Sequence, residues 1–333
     1  MMVITKTPFR MSFFGGGTDM KEFFNEHGGA VLSTTFDKYC YVTLRRLPPF
    51  FDYRTELSYS KIERVQKIEQ IVHPAVREAM KMLGAKDVRL TYEADLPARS
   101  GLGTSSSFAV GMLNAFYCLE GKYVGKKALA DKAIYLEREL CNEAGGWQDQ
   151  IAASFGGFNR INFRENSYEV RPLIISPERK KRLNKNLLMF FTGFTRFSSE
   201  VQKANQASPE SAAAKTERLL RMLSLVDDAQ KILEDEEKNL DDFGHLLHET
   251  WNLKKGTGKA VSTSEIDALY EKGIEAGALG GKLLGAGGGG FLVFYVQEEK
   301  QETVCRAMKD LLKIPFRFEN EGTKVIYYDE EEN

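Results

Sequence analysis

Four consecutive hydroxyl residues, Thr104, Ser105, Ser106 and Ser107, follow Gly101, Leu102 and Gly103 within the stretch PARSGLGTSSSF at positions 97–108. Glycine reaches backbone conformations that turn several N–H groups toward one small anion. A helix beginning at the serines would direct the positive end of its dipole to the same point. The hydroxyls add donors, and one of them could ligate Mg²⁺, a hard cation that takes oxygen. A serine-rich helix cap is the structural alternative, because Ser and Thr are ordinary N-cap residues. Two better-known phosphate loops are excluded. No Gly-x-x-x-x-Gly-Lys-Ser/Thr occurs, and Ser106 stands where a dinucleotide fingerprint needs its third glycine. Asp242-Phe243-Gly244 matches a protein-kinase magnesium motif in letters only, since no His-Arg-Asp precedes it.

Acids and bases stand near other glycines. Arg10 and Asp19 flank GGGTD, whose glycines let backbone approach a polar ligand; a salt bridge within the turn is the alternative. The stretch ERELCNEAGGWQDQ carries Glu137 and, twelve positions on, Asp149 beyond the Gly145-Gly146 break. A helix, a glycine turn and a second helix can bring two such carboxylates toward one site, one for metal and one for a reacting hydroxyl. Trp147 would pack as core or floor a sugar pocket. A second glycine cluster, GGKLLGAGGGGFLVFYV at 280–296, precedes an apolar strand, and Lys282 within it would face phosphate oxygens or water. His245 and His248 lack the third ligand or catalytic glutamate that a metal role requires.

These residues need elements to position them. Residues 2–14 read as a strand, followed by a short helix capped by Thr18 or Asp19 and ending at Gly28-Gly29, and 30–46 read as its antiparallel partner. Periodicity predicts a helix over 62–83 that stops at Gly84, and alternation predicts a strand over 87–95 that delivers the chain into the serine loop. Helices are expected at 104–120, 127–144 and 147–155, with strands near 158–163 and 168–173. Beyond the basic stretch 176–186 the pattern changes to a strand at 187–193, three or four helices between 198 and 277, and a closing αβ unit. A division into residues 1–180 and 181–333 follows. The charged run 227–242 reads as a solvated helix end.

The chain has 333 residues, a formal net charge of −1 and interspersed acids and bases. Two cores are affordable at that length, and nothing proposes a nucleic-acid groove or a membrane surface. Small molecules are the expected partners. The N-terminal stretch is broken by Lys6 and Arg10 before a signal-peptide core can form, so the cytoplasm is the expected compartment. Four widely spaced cysteines read as reduced packing residues rather than disulfides or a zinc site.

In order, TPFR with GGGTD at 7–19, GLGTSSS at 101–107 and GAGGGGF at 285–291 resemble the three motifs of the GHMP small-molecule kinases, the family of galactokinase, homoserine, mevalonate and phosphomevalonate kinases. The resemblance spans nearly the whole chain. The nine-residue step from Arg10 to Asp19 and the twelve-residue step from Glu137 to Asp149 are similar to those of galactokinase-like members. GGGTD, GGWQDQ at 145–150 and FFTGFTRFSSEVQK at 190–203 are similar to the branch acting on heptose 7-phosphates and L-fucose. One departure is Thr104 where many relatives carry serine, which keeps the hydroxyl.

The resemblance implies an α+β fold with an N-terminal nucleotide domain, a C-terminal ferredoxin-like domain and substrate in the cleft between them. It implies ATP-dependent phosphorylation of a sugar hydroxyl, expected to be the anomeric one of D-glycero-D-manno-heptose 7-phosphate. L-fucose or another sugar is the alternative substrate, and a non-catalytic sensor of sugar and nucleotide is the alternative role. By position, 101–107 would cradle ATP phosphates and Ser105 and Glu137 would hold Mg²⁺. Asp149 would contact the acceptor hydroxyl, as base or as orienting charge, with Arg10 paired to it and to the moving phosphoryl group. Gly16, Gly17, Asp19, Trp147, Gln148, Gly287 and Gly288 would contact the sugar, and Arg196, with Lys203 second, would meet its existing phosphate. Oligomeric state stays open.

Overall fold

The computed structural model describes residues 1–98, 100–193, 212–258 and 260–329. Strand β1 (Met2–Phe14) pairs antiparallel with β2 (Gly29–Arg46) from Met2↔Arg45 to Phe14↔Leu32, and the turn between them holds the short helix α1 (Lys21–His27). Two register shifts, at Pro8/Phe9 and between Ser12 and Phe14, bend β1 where Arg10 projects. The long β2 serves two further partners along its other edge. Residues 40–46 pair with β5 (Val88–Ala94), and residues 29–34 pair with β6 (Phe158–Arg164). That fork opens the sheet around the site.

The expected helix over 62–83 is a correction. Ile62–Val65 forms β4, which pairs antiparallel with β3 (Thr55–Ser58), and α2 starts only at Pro74 and runs to Leu83. Proline fits a first helical turn, where its missing N–H is no loss. Gly84 does end that helix, in a left-handed conformation at φ 64°. Neither Thr18 nor Asp19 caps α1. The N-cap is Met20, while the Thr18 hydroxyl donates to Gly15 and Ala30 carbonyls.

Helix α3 (Thr104–Leu119) packs against β1 and β2 and runs through the core, with apolar side chains buried on most of its circumference. The helix expected over 127–144 is shorter and changes character. It is α4 (Lys126–Ile134) continued by a π-helical turn (Tyr135–Leu140), after which α5 (Gln148–Phe155) begins. Strand β7 (Ser167–Pro172) pairs with β6.

A second, four-stranded sheet is built from β8 (Leu187–Phe191), β9 (Gly280–Leu283), β10 (Phe291–Tyr295) and β11 (Leu312–Ile314), in the order β11-β8-β10-β9. Helix α6 (Pro177–Asn186) leads into it. Among the described residues three helices lie between 198 and 277: α7 (Ala212–Glu234), α8 (Asp242–Lys255) and α9 (Ser264–Glu275), with α10 (Gln301–Ala307) in the closing unit. The charged run 227–242 is the end of α7 plus a turn into α8. The chain then returns to the first sheet. Strand β12 (Phe318–Glu319) pairs with β2, and β13 (Lys324–Asp329) with β1. One apolar cluster, including Phe13, Phe14, Leu225, Phe243 and Val293, joins the two halves. No helix among the described residues is long and apolar enough to cross a membrane.

Candidate active site

The serine loop lies where the two halves meet. Gly101 at φ 80° and Gly285 at φ 82° touch backbone to backbone: a Cβ on either would stand 2.2 Å from a main-chain atom of the other loop. Gly103, at φ 72°, caps α3 and presents a bare backbone above Asp149 and Arg10. The first turn of α3 has no intrahelical acceptor for its N–H groups, so the helix opens as an anion site onto a cleft of about 1120 Å³.

Arg10 and Asp149 form a bidentate pair. Nε and Nη2 of Arg10 donate to Oδ1 and Oδ2 of Asp149 at 2.8 and 2.9 Å, and Nη1 donates to the Gly101 carbonyl at 2.7 Å. The fork geometry fixes the carboxylate directly below the loop. Arg10 is buried and Asp149 a quarter exposed toward the cleft.

Glu137 is carried inward by the π-helical turn, and it is buried. The Ser105 hydroxyl donates to its Oε1 and the Ser106 hydroxyl to its Oε2, each at 2.7 Å, and Gln150 Nε2 donates to Oε2 as well. The oxygens gathered here come from one carboxylate and neighbouring hydroxyls, and no set of three or more His, Cys, Asp or Glu side chains is arranged to hold a metal ion among the described residues. That donor set fits Mg²⁺, which takes one or two protein oxygens and completes its shell with water and phosphate. Burial, then the nearby Glu137 charge, raises the Glu143 carboxyl above its usual range.

Asp19 closes the other end. Its carboxylate accepts the Gly17 N–H at 2.9 Å and the Gln148 N–H at 3.3 Å. Burial raises its pKa, the Gly17 amide opposes that shift, and the Asp149 charge reinforces it. Gly146 must be glycine, since a Cβ there would meet Asp19 Oδ2 at 1.8 Å. Ser12 Oγ and Gln148 Oε1 are buried without partners among the described residues, and both side chains flank Gly16. Unspent polar atoms beside a bare backbone suit a polyhydroxylated ligand.

Gly16, Gly17, Asp19, Gln148, Arg10, Asp149, Gly101, Gly103, Thr104, Ser105, Ser106 and Glu137 thus meet in one cleft. Leu102 and Ser107 lie behind its wall, the latter donating to the Pro8 carbonyl at 3.0 Å. Trp147 packs edge-on against Phe24. Gly287 and Gly288 turn toward Val261, whose carbonyl accepts the Gly288 N–H at 3.0 Å. Arg196 and Lys203 lie outside the described residues. Lys282 lies in the cleft wall, where it is buried and donates to the Ser12 and Phe13 carbonyls, each at 2.8 Å. His248 meets the Tyr270 hydroxyl at 2.8 Å, a packing contact.

Sequence reasoning missed several lining residues. Tyr59, His73, Tyr92 and Phe108 form a chain of ring contacts at 4.9–5.3 Å along the far end of the cleft. Burial lowers the His73 pKa. Lys254 enters from the last turn of α8, and Lys215 from α7, one turn before the Leu219 side chain that reaches Gly17. No short-range signal marks them, because each arrives from a distant element.

An anion-wrapping helix start facing a guanidinium-held carboxylate defines a phosphotransferase for small molecules. Known proteins make that class specific. The GHMP kinases N terminal domain matches residues 66–157 and the GHMP kinases C terminal domain residues 228–314. A D-glycero-alpha-D-manno-heptose 7-phosphate kinase of Campylobacter jejuni is 31% identical over 96% of this chain and 97% of its own. A D-glycero-D-manno-heptose 1-phosphate kinase from Bacteriodes thetaiotaomicron superposes with a TM-score of 0.79 at 24% identity, covering 99% of this chain and 100% of that one. A putative sugar kinase from Campylobacter jejuni superposes at 0.75 with 27% identity, covering 97% and 98%. The chain belongs to the GHMP kinase family, with its two-domain α+β fold. It is a sugar kinase close to the heptose phosphate kinases, and ATP is the phosphate donor of that family.

Proposed function

We propose that the protein transfers the terminal phosphate of ATP to the anomeric hydroxyl of D-glycero-D-manno-heptose 7-phosphate, in the cytoplasm, as a step toward a nucleotide-activated heptose. The observation that carries this reading is the Arg10–Asp149 pair held beneath the serine loop beside an Asp19 carboxylate and two unspent polar side chains. Mg²⁺, held by Ser105 and Glu137, would neutralise charge on the donor phosphates. Asp149 accepts or orients the sugar hydroxyl, and Arg10 keeps that carboxylate in place. Asp19, Gln148, Ser12 and the backbone of Gly16 and Gly17 bind ring hydroxyls, with Trp147 behind them. Gly287 and Gly288 shape the opposite wall. The rings of Tyr59, Tyr92 and Phe108 take the nucleobase. Lys215 supplies a cation at the sugar end, a role the sequence assigns to Arg196. Residues 1–180 form the nucleotide domain and 181–333 the second domain, with the last strands adding to the first sheet.

Steady-state assays with the heptose 7-phosphate and with L-fucose test the substrate. The heptose phosphate should be turned over far more efficiently, and Asp149→Asn should abolish transfer while ATP affinity changes by no more than a few fold. Efficient use of L-fucose without activity on any sugar phosphate would overturn the choice.

A further inference from the structure

Two lysines approach the reaction centre and are spent differently. Lys282 is fully buried and gives its N–H groups to two carbonyls, tying β9 to the bend of β1. Lys254 is half-buried, lines the cleft, and has a single hydrogen-bond acceptor among the described residues, the Gly285 carbonyl. An ammonium carries three donors, so two remain on the cleft side. No carboxylate forms a contact ion pair with it among the described residues, although Asp19 and Asp149 are near enough to raise its pKa. A half-buried cation without a contact partner is costly. Such a group is retained where an anion will arrive.

The position of that anion follows from the backbone. Arg10 holds the Gly101 carbonyl, Lys254 holds the Gly285 carbonyl, and Gly101 and Gly285 touch. The two cations therefore hold the two loops of one junction, one each, at the point where the serine loop meets Asp149. During transfer, the bond from the donor's bridging oxygen to the terminal phosphorus breaks as the bond from the sugar oxygen to phosphorus forms, and the hydroxyl proton passes to Asp149. Charge is carried on the three equatorial oxygens, which a flanking cation stabilises.

We propose that Lys254 is a catalytic residue whose ammonium contacts the phosphoryl group in flight, opposite Arg10. This rests on the sugar-kinase reading above and deepens it. Burial, followed by the Arg10 charge, lowers the Lys254 pKa to about 8, with Asp19 and Asp149 opposing and Lys282 standing behind. The protonated form is the active one, so turnover should decline as pH rises through 8.

The test compares Lys254→Met, Lys254→Gln and Lys254→Arg with the parent. In assays, the Met and Gln variants should lose about 100-fold in kcat with KM for ATP and sugar within about threefold. The Arg variant should recover at least a tenth of the parent rate and lose the decline above pH 8. Calorimetry with ADP and aluminium fluoride, a mimic of the phosphoryl group in flight, supplies a readout apart from turnover: Lys254→Met should bind it at least tenfold more weakly than ADP alone would predict. Unchanged kcat with a raised KM for ATP would assign Lys254 to loop tethering alone and overturn the proposal. So would undiminished binding of the mimic. A parent that phosphorylates no sugar would instead overturn the substrate reading, leaving the calorimetric comparison to decide on Lys254.

Discussion

The two glycine-rich loops share a composition and do opposite work. In the serine loop, Gly103 leaves space above Arg10 and Asp149, and the Ser105 and Ser106 hydroxyls are turned toward Glu137. In the loop 285–290, the glycines are consumed by close approach: Gly285 to Gly101, Gly287 to Val261 and Gly290 to the Ser100 carbonyl. Gly103 is bare on the cleft side, whereas the glycines of the second loop are bare so that neighbouring backbone, much of it the serine loop, can come near. A glycine run in a sequence reports only that something approaches, and the partner is decided by the fold.

Substitutions can break that contrast. Gly285→Ala should have the largest effect, because its Cβ would stand 2.2 Å from Gly101 Cα at a φ of 82°. A loss of about 2 kcal/mol or more is expected, read as a lowered melting temperature together with lost activity. A variant that melts with the parent would show that the third motif does not brace the second. Gly103→Ala should separate the two roles. Its Cβ would meet Arg10 Cγ and Asp149 Cγ only at 3.4 Å, so the melting temperature should fall less, by the left-handed strain of about 1 to 2 kcal/mol. Turnover should drop more than tenfold, since the methyl occupies the space above the reacting carboxylate; an unimpaired rate would place the phosphoryl group elsewhere. Ser105→Ala sharpens the comparison least. The loop keeps its backbone but loses one oxygen at Glu137, and the Mg²⁺ concentration for half-maximal rate should rise by roughly tenfold. Magnesium titrations that overlay the parent would remove Ser105 from the metal site.

The elements nearest the motifs were legible in the sequence for local reasons. Strand β1, its partner β2 and helix α3 carry their own patterns of alternation, β-branching and capping. The segment 62–70 misled because its apolar residues recur at helical spacing, whereas pairing with β3 decides its conformation, and Pro74 was the better start signal. The Arg10–Asp149 contact was expected from the family resemblance, and the residues themselves left a salt bridge within the turn open. The burial of Lys282 is hidden in the sequence, because a lysine between glycines looks exposed until the strand it belongs to is seen covered on both faces. Ser12, Lys215 and Lys254 could not be read at all. Each reaches the cleft from an element whose placement depends on long-range packing, and nothing in its neighbours' identity says so.

The π-helical turn at Tyr135–Leu140 has a consequence for how the Glu137 carboxylate can be altered. A π turn amounts to one extra residue accommodated within a helix, marked here by the Cys141 N–H reaching back five positions to Leu136. Deleting a single residue upstream, between Lys132 and Leu136, would let the segment relax to regular α geometry, rotating the side chains inside the turn by about 100° while those beyond it keep their register. Glu137 would leave Ser105 and Ser106 without any change to its own identity. The position of this carboxylate is thus encoded in the count of residues before it as much as in the letter at 137, and comparisons of related chains that align the glutamate without counting the turn would misjudge which of them bring it to the serine hydroxyls.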